Sequence, residues 1–133
     1  MSYHYRVKCA CGHVMNAQPG DSCPKCKQPV IFCPDGLLSL YRMGNFYGVA
    51  NAFSIYIDGE PMGKIGNKET VHIPLPFGTH NLHVACGMSR RCNDYQFTLT
   101  PDCRNVYAKV WIKPGFWTNS FVIEPVGAND IPY

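Results

Sequence analysis

From residue 38 onward the chain alternates apolar and polar side chains with the two-residue period of a strand, and nowhere there does it show the 3.6-residue spacing of a helix. Leu38, Leu40 and Arg42 alternate with Ser39 and Tyr41. Phe53, Ile55 and Ile57 alternate with Ser54, Tyr56 and Asp58, and Asp58-Gly59 then signals a tight hairpin turn. A short return strand over 61–65 ends at Gly66-Asn67. Val71, Ile73 and Leu75 share the next phase, with Pro74 and Pro76 on its polar side, where proline marks an edge or a strand end. After Phe77-Gly78, His80, Leu82, Val84 and Cys86 run together. Tyr95, Phe97 and Leu99 follow, then Pro101-Asp102 as a turn. Val106, Ala108, Val110 and Ile112 form the longest set, with Tyr107 and Trp111 opposite, and Phe121 and Ile123 close the series. Roughly seven to eight short strands separated by Gly, Pro, Asn and Asp predict a mainly β fold, an antiparallel Ig-like sandwich.

The first 35 residues differ. They carry Cys9-Ala10-Cys11-Gly12 and Cys23-Pro24-Lys25-Cys26. Two close cysteine pairs across a short loop can place Cys9, Cys11, Cys23 and Cys26 at the corners of a tetrahedron, the geometry of structural Zn2+ with Zn–S near 2.3 Å. Gly12 suits a tight turn, and Pro24 pre-sets the backbone of a metal knuckle. Four reduced core cysteines or two disulfides are the alternatives. The stretch 5–32 resembles a zinc ribbon, with Cys-x-Cys where the common pattern has Cys-x-x-Cys. Four thiolates would close the metal's coordination shell, so one structural zinc is expected and catalysis at the metal is not. His4 and His13 lie near the site and read as surface histidines rather than ligands. A segment this short cannot offset its chain entropy by burial alone, so the metal would fold it.

Two prolines and a glycine over 27–36 end this module. The expected organisation is a ribbon at 1–35 and a sandwich at 36–133 with a short tail, the sandwich having enough alternation of its own to fold without the ribbon. Charged residues make up 16% of the chain and aromatics 13%, a composition of packed globular proteins rather than disordered ones. No apolar run is long enough to span a bilayer. Met1–Arg6 lacks the apolar core of a secretory signal, so a cytoplasmic location is expected, and there cysteine-rich segments point to metal more than to disulfides. The formal net charge is only +3. The ribbon offers Arg6, Lys8, Lys25 and Lys27 against Asp21 and Asp35, and Arg90-Arg91 is the adjacent basic pair elsewhere. Such scattered cations argue against a phosphate-binding surface.

Tyr56-Ile57-Asp58-Gly59-Glu60-Pro61-Met62-Gly63-Lys64-Ile65 resembles the Asp-Gly hairpin of PEGA-type and related carboxypeptidase-regulatory-like sandwiches of bacteria. Ile73-Pro74-Leu75-Pro76-Phe77-Gly78-Thr79-His80-Asn81-Leu82-His83-Val84 is similar to their strand–turn–strand. The resemblance spans about residues 38–85, encodes turn chemistry rather than a site, and implies an adhesive or spacer module.

Cys33, Cys86, Cys92 and Cys103 match no zinc knuckle; buried or free thiols, a disulfide and a second metal all remain open for them. No nucleophile–base–orienter set is recognisable: His80 and His83 fall on opposite faces of a regular strand, and Asp58 is explained by its turn. The chain is therefore read as not an enzyme. Phe46 and Tyr47, and Phe116 and Trp117, fall in long connections, where aromatics either mark an interaction surface or plug the open ends of a sandwich. The functional expectation is a zinc-binding scaffold acting on a protein partner. A nucleic-acid-binding ribbon protein, or a carbohydrate or ligand binder using the aromatic loops, are the alternatives.

Overall fold

The computed structural model describes residues 5–18, 20–30, 32, 35–43, 52–85, 91, 92, 94–113 and 120–130. These residues form eleven strands and one 3-10 turn, Ala128–Asp130: β1 Tyr5–Lys8, β2 Val14–Ala17, β3 Gly36–Arg42, β4 Phe53–Ile57, β5 Glu60–Ile65, β6 Thr70–Leu75, β7 Gly78–Ala85, β8 Arg91–Cys92, β9 Tyr95–Leu99, β10 Asn105–Lys113 and β11 Ser120–Val126. A seven-stranded sheet runs β2-β1-β6-β3-β10-β11-β8, and a four-stranded sheet runs β5-β4-β7-β9.

The period-two phases face the space between the two sheets. Leu38 and Leu40, Val71, Ile73 and Leu75, Ala108, Val110 and Ile112, and Phe121 and Ile123 come from the larger sheet. Phe53, Ile55 and Ile57, Met62 and Ile65, Leu82 and Val84, and Phe97 and Leu99 come from the smaller one. All belong to one buried cluster, which fixes register, because a one-residue slip would turn each set to solvent. Phe53 sits at its centre, edge-on to Phe121 with ring centroids 4.7 Å apart, and the buried Arg42 guanidinium lies 3.6 Å above the Phe53 ring.

Asp58 and Gly59 both take positive φ, 54° and 83°, as a two-residue hairpin that follows strand twist requires. Asp58 also holds the next hairpin. Its carboxylate contacts His80 Nδ1 at 2.7 Å and accepts the Asn81 N–H at 2.8 Å. Partial burial works against ionisation of Asp58, but these two partners outweigh it and hold the carboxyl below its ordinary range.

Three pairings depart from the antiparallel expectation. β3 lies parallel to β10, β1 to β6 and β8 to β11. No hairpin joins any of these pairs, so turn geometry does not dictate their direction. The Asp58-Gly59 hairpin, by contrast, is antiparallel as expected.

The N-terminal hairpin is part of the larger sheet. β1 pairs with β2 in antiparallel register and meets β6 at Tyr5 and His72. Tyr5 packs edge-on against Phe32, and His72 is buried beneath it with Nδ1 at 2.8 Å from the Ser39 hydroxyl. Burial pushes the His72 pKa below its ordinary value of 6.5. The neutral ring is then the native form, and the unfolded chain binds its proton first as pH falls. Stability is therefore expected to be full above about pH 6.5 and to decline as pH drops from there toward the folded-state pKa. Urea titrations across pH 5–7 should show that slope flatten in His72→Gln; an unchanged slope would assign it to another group.

Arg6 fastens the hairpin to the other sheet. Its side chain is 8% exposed; Nε donates to Asn16 Oδ1 at 2.6 Å and Nη1 to the Met62 carbonyl at 3.0 Å. Gly63 makes this possible: it has φ +80°, and a Cβ there would stand 2.5 Å from Arg6 Nη1. Gly63→Ala should cost about 1–3 kcal/mol from left-handed strain and displacement of Arg6. Comparing Gly63→Ala in wild-type and Arg6→Ala backgrounds by urea denaturation checks this, since only the steric part should vanish with the guanidinium.

Candidate metal centre

The centre is built from two turns. β1 delivers Cys9, and the chain reverses at once: the Gly12 N–H donates to the Cys9 carbonyl and the Cys9 N–H to the His13 carbonyl, each at 2.8 Å. Gly12 takes φ +95°, which a Cβ would resist. The second turn is held by the Lys27 N–H on the Cys23 carbonyl at 2.7 Å and the Cys23 N–H on the Gln28 carbonyl at 2.9 Å, with Ser22 bridged to Pro29. Lys27 carries the left-handed φ of 63° here, a role the sequence did not signal, since glycine usually takes it.

The two turns bring Cys9, Cys11, Cys23 and Cys26 together, with all four sulfurs within 4.8 Å of one another. Cys9 Sγ lies 3.3 Å from Cys26 Sγ, and Cys11 Sγ lies 3.7 Å from Cys23 Sγ. Sulfurs at tetrahedral corners 2.3 Å from one ion stand about 3.8 Å apart. Cys9 and Cys23 are buried, Cys26 is half-buried and Cys11 is exposed. All four are free thiols rather than disulfides.

Electrostatics explains why this cluster suits a cation. The Cys26 backbone N–H pulls the Cys23 thiol down to about 6, with help from the Lys25 N–H and against desolvation. The Gln28 N–H pulls Cys26 the same way, but the neighbouring Cys9, Cys11 and Cys23 thiols, together with desolvation, push it up to about 12. The thiols therefore titrate as a set, and ionising one sulfur disfavours ionising its neighbours. A divalent cation at the centre removes that conflict and lets all four ionise. The donor set therefore fits a metal ion.

The remaining sequence candidates divide. His13 contributes its carbonyl to the first turn and no ligand atom to the cluster. His4, Cys33, Cys86, Phe46, Tyr47, Phe116 and Trp117 lie outside the described residues. Cys92 falls in β8, and Cys103 is an exposed free thiol in the turn that pairs Thr100 with Cys103. Among the described residues the cysteine set is the one group of metal-ligating side chains, and no helix there is long and apolar enough to cross a membrane.

No protein-family model matches the chain, and no curated protein matches it in sequence.

Proposed function

We propose that this chain is a non-enzymatic scaffold, in which a structural zinc ribbon is fused to an Ig-like sandwich that works by binding a protein partner inside the cell. The observation that carries this reading is the cluster of four sulfurs, two from the turn of a hairpin fastened to both sheets and two from the turn that follows it. Thiolates in a tetrahedral set favour zinc, and a full shell leaves no position for a reacting water. The metal then fixes surface shape rather than performing chemistry. Phe46, Tyr47, Phe116 and Trp117 are the side chains proposed to meet the partner, since aromatics concentrate in interface cores.

The nucleic-acid alternative loses support from the placement of the ribbon cations. Arg6 is buried against Met62 and Asn16, and Lys8 pairs with Glu60 at 3.3 Å. Lys25 and Lys27, exposed like Lys8, are the ribbon cations with no ion pair among the described residues. With so few phosphate contacts, affinity for mixed-sequence DNA or RNA should be weak and collapse between about 50 and 200 mM salt. A fluorescence titration at about 150 mM salt tests this. Sub-micromolar binding abolished by Lys25→Glu/Lys27→Glu would replace the scaffold reading with the nucleic-acid one.

A further inference from the structure

The outer face of the four-stranded sheet carries a second candidate site, far in chemistry from the cysteines. β4, β7 and β9 contain no Lys, Arg, Asp or Glu. Their half-buried or exposed positions are instead amide, hydroxyl, imidazole and phenol side chains: Tyr56, Asn81, His83, Gln96 and Thr98 among them. Register sets Tyr56 opposite His83 and Asn81 opposite Gln96. A depression of about 330 Å³ opens on this face, lined by Tyr56, Gly59, Asn81, His83, Ala85 and Asp94. That volume lies at the small end of the range for ligand sites.

Its polar groups are fixed in orientation. Asp94, just before β9 and at φ 33°, places Oδ1 at 2.6 Å from His83 Nδ1. Its Oδ2 accepts from Asn81 Nδ2 at 3.2 Å. A carboxylate at Nδ1 holds a proton there, so in the neutral ring Nε2 presents a lone pair. The same logic leaves Asn81 Oδ1 as an acceptor. Tyr56 stands beside the imidazole, ring centroids 5.9 Å apart, and offers the apolar surface.

We propose that this depression binds a neutral polyhydroxylated ring, that is, a sugar residue. Hydroxyl groups can donate to His83 Nε2 and Asn81 Oδ1, while a ring's C–H face packs on Tyr56. An anion would meet the Asp94 carboxylate with no cation on these three strands to offset it. A bare ammonium would seek Asp94, but both its oxygens are already engaged by His83 and Asn81.

The test is an amide chemical-shift titration of the full metal-loaded chain with maltotriose, cellotriose and chitotriose, and with a sulfated disaccharide as the anionic probe. At least one neutral probe should give saturable, millimolar shifts confined to β4, β7, β9 and the residues around Asp94. His83→Gln and Asp94→Asn should each weaken that binding by about tenfold with the rest of the spectrum superimposable. Three outcomes overturn the proposal: no saturable shift with any neutral probe, tighter binding of the sulfated probe, or unchanged affinity in both variants.

Discussion

Stripping the metal is expected to release the N-terminal hairpin and uncover the β6 edge while the sandwich core survives. In small cysteine-ligated modules metal binding is worth about 10–16 kcal/mol, and that free energy is folding free energy. The four-strand-residue arms of β1 and β2 bury only Arg6, Val7 and Ala17 and cannot hold their turns without it. The main buried cluster, however, draws on residues between Leu38 and Ile123 and on none before Leu38. Hydrogen exchange after chelation should therefore accelerate through Tyr5–Ala17 and at Thr70–Leu75, where β1 was paired, and stay slow in β3 and β10 at the sheet's interior. Cys23→Ser/Cys26→Ser should behave like the chelated protein, and elemental analysis should fall from about one zinc per chain to a trace. Retained metal in that variant would remove these cysteines as ligands. Global unfolding on chelation would show that residues 1–35 and 36–133 are one cooperative unit.

Phe53→Ala should be the most damaging single change within the sandwich, costing about 3–5 kcal/mol. Phe53 is fully buried, and its ring meets Phe121 from one sheet to the other. It also forms the surface under Arg42, whose Nη1 reaches the Ile65 carbonyl at 3.2 Å. Truncation thus leaves a cavity and strips a buried guanidinium of its aromatic face, so the loss exceeds that of an ordinary apolar deletion. Against a total stability of about 5–15 kcal/mol for a domain this size, much of the population would unfold on modest heating. Phe53→Leu, which keeps most of the volume, should lose well under half as much. Urea denaturation of both variants measures the difference; near-equal losses would mean that the aromatic face, not volume, is what Arg42 requires.

The sequence by itself determined most strands of the two sheets and the cysteine set of the candidate metal centre. Period-two alternation is imposed by the pleat, so Phe53, Ile55 and Ile57, or Val71, Ile73 and Leu75, declare which face is buried without reference to any partner strand. Asp58-Gly59 declares its own turn because both residues must accept positive φ. The cysteine pairs are likewise local, since each turn spans only a few residues and the metal tolerates few spacings. The tertiary structure decided what local rules leave free. Nothing in Tyr5–Lys8 says that β1 will lie parallel to β6, and nothing in Leu37–Arg42 says that β3 will lie parallel to β10, because both pairings join segments with no connecting hairpin. Arg6 reads as a ribbon surface cation, yet it is buried because Gly63, distant in sequence, leaves room for the guanidinium. His83 and Asp94 are unremarkable in separate segments; they become a pair only when β7 and β9 lie side by side and Asp94 turns its carboxylate back across the sheet. Local geometry is written in adjacent residues, whereas strand partners and facing side chains depend on which long-range packing buries the most apolar surface at once.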